Sequence, residues 1–326
     1  MMYDKAVRLA GFGLMLVAAG AAAQAAYPDR QPIKVVIPYA PGAAGDVVFR
    51  ILQPELTREL GQTLVADYKT GAGGNIGALN VARAEPDGYT LLLGATNNFV
   101  INQYLYKNLG FDPLKNLKPI GKLVDVPAFI FINAQLPVKT FAEFRDYAAA
   151  HPGAINYGTP GAGTTPDLSG WLVSDAVKGK MVGINYRGSG PGVQALLGNE
   201  VQMYIGGYGI ATSFLPTGKI RALAVSAEQR FKDLPDVPTT RELGIAEAVV
   251  NNWWALAAPG GTPDEVVQAV DKAVQNVLAQ DDVRKKLLEL GFVVTPGNAG
   301  QFAAELQKEA PYWKAVIERA NIRIEQ

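Results

Sequence analysis

The stretch IKVVIPYAPGAAGDVVFRIL, residues 33–52, decides the fold. Its opening run is short, β-branched and halted by Pro38, which favours a buried strand over a helix. Pro41 and Gly42 then read as a turn, and Asp46 as the N-cap or first-turn acid of a helix. A strand passing through a tight turn into a helix leaves backbone N–H groups at a positive helix end, which is a ready place for an anion. Tyr39, Pro41, Gly42, Ala43, Ala44 and Asp46 are therefore candidate binding residues, against the plainer reading of an ordinary connection.

The same unit repeats outward. Residues 63–67 read as a second strand, 71–77 as a glycine-rich loop, 78–84 as a helix, Pro86-Asp87-Gly88 as a turn and 89–93 as a third strand. Such alternation with short connections predicts a parallel sheet. The loop 94–98 follows a strand and should share an edge with the Pro41 turn, which adds Ala95, Thr96 and Asn97 to the candidates. Strands at 120–124 and 128–132 flank Pro127, and Thr140-Phe141-Ala142-Glu143 reads as a capping box opening a helix. A second alternating unit follows: strands at 155–157, 182–186, 201–205 and 221–225, with helices at 168–177 and 193–197. The third region holds a strand at 255–258 and a helix capped by Thr262, with Pro263 at its first position and Glu265 as the box acid. Val266, Val270, Val274 and Val277 give that helix one buried face. Another helix spans 283–290, and a last one begins near 302, which Pro311 must kink or divide. These helices, lacking a sheet of their own, are expected to pack on the first domain. The expected architecture is α/β: two α/β domains, 26–126 with 252–326, and 127–251. A two-crossing hinge near Pro127 and Asn252 leaves a ligand cleft between them.

The first 25 residues stand apart. Lys5 and Arg8 precede an apolar run at 9–23 and the small residues Ala23-Gln24-Ala25, the pattern of a cleaved signal peptide too short to span a membrane. The chain has 326 residues and no cysteine, so disulfides, thiolate metal sites and an N-terminal lipid anchor are ruled out. Of its 30 basic and 30 acidic residues, cleavage removes Lys5, Arg8 and Asp4, leaving a net charge of −1. There is no basic stripe, so neither nucleic acid nor an anionic membrane is an expected partner.

Enzyme readings find little support. The one histidine, His151, precedes Pro152 at a helix end, where a C-cap role is the ordinary one. Ser189 has Arg187 two residues before it, so it sits in no G-x-S-x-G elbow. The Gly71 loop has Ile76 in the sixth position and fails G-x-G-x-x-G; no phosphate-loop motif occurs. No catalytic residue, cofactor or metal ligand is expected, with an all-oxygen cation site left open.

What recurs instead is five glycine-rich turns, centred on Gly42, Asn97, Gly161, Ser189 and Gly207. In two matching halves they can converge on one cleft at the carboxyl ends of the strands. The second half contributes Thr159, Gly161, Ala162, Gly163, Thr164 and Thr165, then Ser189, Gly207 and Tyr208. Helix ends and hydroxyls would meet an anion there in place of formal charge. Arg187 is the one cation at such a turn, with a surface or hinge ion pair as its competing reading. Of the nearby aromatics (Tyr39, Phe99, Trp171, Tyr186, Tyr208, Trp253, Trp254), most belong to the core. Two or three in the cleft would suit a flat apolar body ending in carboxylates.

These residues sit in longer motifs: VVIPYAPGAAGD, GAGGNIGALNVARAEPDGYTLLLG, LYKNLGFDPLKNLKPIGKL, YGTPGAGTTP, INYRGSGPGVQALLGNEVQ, GKIRALAV with LPDVPTTRELG, and WWALAAPGGTP. Across the whole mature chain the sequence resembles the Bug-type receptors of tripartite tricarboxylate transporters. The resemblance implies a type II periplasmic binding protein-like fold and a monomeric periplasmic receptor. It would close on a small mono- or dicarboxylate, aromatic diacids such as terephthalate included, and deliver it to the membrane subunits of the transporter. It also implies that backbone N–H groups, hydroxyls and bridging water hold the carboxylate. A periplasmic sensor subunit, or a hydrolase or isomerase of carboxylic acids, is the alternative. The departures concern the ligand. Pro41-Gly42-Ala43 stands where the family has Pro-Gly-Gly, and Tyr68-Lys69-Thr70-Gly71 where it has Asn-Arg-Pro-Gly. Thr165-Pro166-Asp167 replaces a Ser or Thr followed often by His. Gly206-Gly207-Tyr208 replaces an acidic or amide position, which disfavours an amino acid and favours a bulkier carboxylate.

Overall fold

The structure, a computed structural model, describes residues 27–324 apart from 228 and 251; the signal peptide read at 1–25 lies outside the described residues. The chain begins as expected with β1 (Ile33–Ile37), α1 (Ala44–Leu60), β2 (Leu64–Tyr68), α2 (Asn75–Ala82) and β3 (Thr90–Ala95). After the short α3 (Asn102–Leu105) and α4 (Pro113–Asn116), β4 (Leu117–Val126) runs across Pro127 into β5 (Ala128–Asn133). Next come α5 (Phe141–Ala150), β6 (Asn156–Thr159), α6 (Thr165–Ala176), β7 (Val182–Asn185), α7 (Ser189–Leu197), β8 (Met203–Gly207) and β9 (Ile220–Ser226). The chain returns through β10 (Asn252–Pro259), α8 (Asp264–Leu278), α9 (Asp281–Glu289), β11 (Val293–Gly297) and α10 (Ala299–Ala320).

Two sheets result, in the orders β11-β4-β10-β3-β1-β2 and β7-β6-β8-β5-β9. The first draws on residues 33–126 and 252–297, the second on 128–226. The alternating units are parallel, β1 with β2 and β3, and β6 with β7 and β8. β10 lies antiparallel to β3 and β4, and β5 antiparallel to β8 and β9. Both of these strands arrive from the other sheet and not through a helical crossover in their own unit, so no crossover constrains them to be parallel.

Strand alternation sends Trp253 and Trp254 to opposite faces of the first sheet. Trp254 joins Val35, Ile37, Leu91 and Leu93 beneath α1 and α8. Trp253 joins Val36, Leu92 and the α10 residues Phe302 and Trp313. That second cluster continues without a break into Ile130, Met203, Ile205 and Leu223 of the second sheet, so the two lobes share apolar contact.

The third region departs from its reading in three ways. It supplies a second strand beyond the one expected at 255–258: β11 pairs antiparallel with β4, at a sheet edge where Pro296 withholds no needed ladder bond. α8 starts at Asp264 with Pro263 at the cap, and the Thr262 hydroxyl is buried without a partner instead of capping. α10 runs unbroken through Pro311. Pro311 is exposed, so water can satisfy the freed carbonyl, while buried Phe302, Leu306, Trp313 and Val316 hold the helix on either side.

Candidate ligand-binding site

Ala43 stands at the N-cap of α1 and its side chain cannot cap. Asp46 does that work from inside the helix. Its Oδ2 accepts the Gly42 N–H at 2.7 Å, and its Oδ1 accepts Arg50 Nε at 2.9 Å and the Tyr68 hydroxyl at 2.6 Å. Burial alone would raise this carboxyl; the bonds from Tyr68, Gly42 and Arg50 outweigh it and hold Asp46 below the usual carboxylate range. Both oxygens are committed to shaping the turn. The N–H groups of Ala44 and Gly45, at the start of the helix, have no hydrogen-bond partner among the described residues.

The β6–α6 connection uses the same device. Gly163 donates its N–H to Asp167 Oδ2 at 2.9 Å, and Asp167 is again the third helical residue. The spacing Gly-x-x-x-Asp thus recurs at 42–46 and 163–167, a correspondence the sequence reading did not register. Among the described residues no cation stands beside Asp167: burial raises its carboxyl, with the Gly163 N–H opposing. Burial, and then the charge of Asp167, push the Tyr106 and Tyr157 hydroxyls up. The Thr164 hydroxyl donates to the Gly161 carbonyl at 2.7 Å, and Thr159 donates to Asn185 while accepting the Gly161 N–H.

The second turn meets the 94–98 segment at Asn252 of the first lobe. Thr96 and Thr165 both donate to Asn252 Oδ1, at 3.1 and 3.2 Å, and Thr96 Oγ1 accepts the Trp253 N–H. A Cβ placed on Gly73 would lie 3.5 Å from the Ala162 carbonyl oxygen. Gly163, at φ +74°, abuts Leu105, Tyr106 and Ile324, so the 161–165 loop rests on the first lobe.

The expected loop at 94–98 is more ordered than a loop. β3 runs through Ala95, and Asn97–Ile101 forms a single π turn, a local widening common at functional sites. The amides of Asn97, Asn98 and Asn102 all donate to the Gly73 carbonyl, at 2.6, 3.2 and 3.3 Å. Tyr39 donates to Asn97 Oδ1 at 2.7 Å and sets its ring edge-on to Trp254, centroids 5.4 Å apart. Asn98, Asn102, Asn252 and Trp254 were missed as site residues. The available signal was three amides within the apolar run 97–102, each needing a buried partner.

The Ser189 turn adjoins the 159–161 turn: Tyr186 and Gly188 donate their N–H groups to the carbonyls of Thr159 and Pro160. Ser189 is the first residue of α7, beside the hydroxyl of Tyr204, which burial pushes up to about 12. Arg187 is exposed and has no ion-pair partner among the described residues. The fifth turn packs beside α7. Gly207 lies against Val126 at the crossing, and Tyr208 packs on Phe231, Phe129 and Gly291.

Residues 48–322 match the family described as Tripartite tricarboxylate transporter family receptor. The chain belongs to that family. It is 30% identical to Protein BugT of Bordetella pertussis over 97% of its own length and 98% of that protein. Among solved structures it is similar to MatC (Rpa3494) from Rhodopseudomonas palustris with bound malate: TM-score 0.81, 33% identity, covering 89% of this chain and 100% of that one. It is likewise similar to R. palustris Rpa4515 with adipate: TM-score 0.85, 30% identity, covering 91% and 99%. Membership in this receptor family agrees with the reading of a solute-binding protein and not an enzyme.

Proposed function

We propose that this chain is a periplasmic receptor that closes its lobes, 26–126 with 252–326 and 127–251, on a small mono- or dicarboxylate. It then delivers the cargo, as a monomer, to the membrane subunits of a tripartite tricarboxylate transporter. The observation that carries this reading is the pair of Gly-x-x-x-Asp turns, one in each lobe, with Asn252 tying the second of them to Thr96 of the first lobe. In this reading Ala44 and Gly45 offer N–H groups from the first lobe, while Ser189 and Arg187 offer a hydroxyl and a charge from the second. Malate in MatC and adipate in Rpa4515 supply the chemical class.

The test is a thermal-shift screen of the mature protein against malate, adipate, terephthalate and shorter acids. A ligand at 100 times its Kd adds about 2.7 kcal/mol, which raises the melting temperature by about 5–10 °C. No shift with any carboxylate overturns the reading. Binding with uptake unaffected by loss of the transporter's membrane subunits would favour a sensor in its place.

A further inference from the structure

A cavity of about 380 Å3 lies away from the glycine-rich turns, beside both crossings between the lobes. Asp125, two residues before Pro127, lines it from β4; Ser226 and Val249, joined by a 2.8 Å hydrogen bond, line it from the other crossing. Its volume falls in the range of small-molecule sites, roughly 300–1,000 Å3. None of the residues of the five turns contributes to its walls.

Its polar side is acidic. Lys122 Nζ is held by Asp125 at 3.1 Å and Glu305 at 2.6 Å, so the lysine of the lining is already matched by two carboxylates. Glu309, one helical turn beyond Glu305, adds a third and accepts the Trp253 indole N–H at 3.3 Å. An incoming anion would face an excess of negative charge and an occupied lysine. A metal ion is disfavoured as well: among the described residues no three His, Cys, Asp or Glu side chains are placed to hold one. The remaining wall is Ala246, Val249, Val250 and the aromatic residues: Trp253 and Trp313 are buried and turn their indole N–H edges to Glu309, and Tyr312 stands 39% exposed at the rim.

We propose that this cavity is a second ligand site, for a small organic cation. An ammonium or quaternary ammonium group would sit against Asp125 and Glu309, with its carbon body on Tyr312. Carboxylates supply the counter-charge, and the Tyr312 ring supplies the polarisable surface that such cations favour over simple hydrated ions.

The site should also respond to pH. Burial, and then the charge of Glu305, raise Glu309 to about 7, against the indoles of Trp253 and Trp313 and the charge of Lys122. The other charged groups around it are Asp125 on β4 and, near Tyr312, Glu247 of the second lobe and Arg319 on α10. As pH rises through that value Glu309 ionises and cation binding strengthens.

The test titrates the full chain with tetramethylammonium chloride, followed by saturation-transfer NMR and tryptophan fluorescence. Potassium chloride at equal ionic strength and the uncharged isostere tert-butanol are the controls. Tetramethylammonium is expected to bind where both controls do not. Tyr312→Ala, at the exposed rim, should weaken it about tenfold. Glu309→Gln, which keeps the side chain's shape, should weaken it about tenfold near pH ~8 and leave it unchanged near pH ~5, where Glu309 is already protonated. No binding, equal binding of tert-butanol, or unchanged affinity in both folded variants overturns the proposal.

Discussion

The turns at 42–46 and 163–167 share one backbone device and differ in how their charge is balanced. In each, an aspartate at the third helical position closes on the N–H of a glycine four residues earlier. Asp46 also receives Arg50 and the Tyr68 hydroxyl, and is held in its charged form. Asp167 receives the glycine alone and is pushed toward its neutral form by burial. The glycine bond sets the shape; the neighbours set the charge. On the proposed reading, a carboxylate ligand meets a helix end in the first lobe whose acid is paired with Arg50, and in the second a helix end whose own acid has no counter-ion among the described residues.

The comparison is most easily broken at Asp46. Asp46→Ala strips three donors of their acceptor and should cost about 2–3 kcal/mol, read as a lower urea midpoint; a loss no greater than that of Asp167→Ala would show the two turns to be equivalent. Next comes Gly163→Ala. Its new Cβ would lie 2.4 Å from Leu105, and such overpacking costs about 1–3 kcal/mol, on top of a left-handed φ. Because Leu105 and Ile324 belong to the other lobe, the expected outcome is an increased radius of gyration in solution scattering. Gly45→Ala, clashing with Trp254 inside its own lobe, should lower the melting temperature with the radius unchanged.

Asn252→Ala removes the acceptor shared by Thr96 and Thr165 and should cost about 1 kcal/mol; no change in melting would mean that the bridge contributes nothing to stability. The smallest effect has the opposite sign. The folded-state pKa of Asp167 is raised, so its stabilising contribution is present in acid and lost as pH rises above the ordinary carboxylate value. Asp167→Asn should therefore stabilise the protein at neutral pH, leave it unchanged in acid, and improve carboxylate affinity. A stability change independent of pH would mean that the charge of Asp167 does not matter.

Legibility followed the range of the interaction. The β1–α1 junction and the valine face of α8 were readable because strand and helix periods repeat within a few residues. The capping box at Thr140 was nearly so: Thr140 accepts the Glu143 N–H as expected, but Glu143 turns to the N–H of Lys139 instead. Tyr208, expected in the cleft, is half-buried and packs on Phe231 and Phe129, and contacts to residues so distant in sequence were not readable locally. The amides around Gly73 were invisible for the same reason, since their common acceptor lies more than twenty positions earlier in the chain.

By itself the sequence determined two α/β units, the glycine-rich turns that join strand to helix, and the two places where the chain changes lobe. Those features arise from local backbone preference and hydrophobic period, and both are written in neighbouring residues. Only the tertiary structure decided that Asp46 is held charged beside Arg50 while burial pushes Asp167 toward its neutral form, that Asn252 ties Thr96 to Thr165, and that three carboxylates and three aromatic rings gather beside the crossings. Burial and charge balance depend on which distant side chains fold into contact, and no local pattern encodes that.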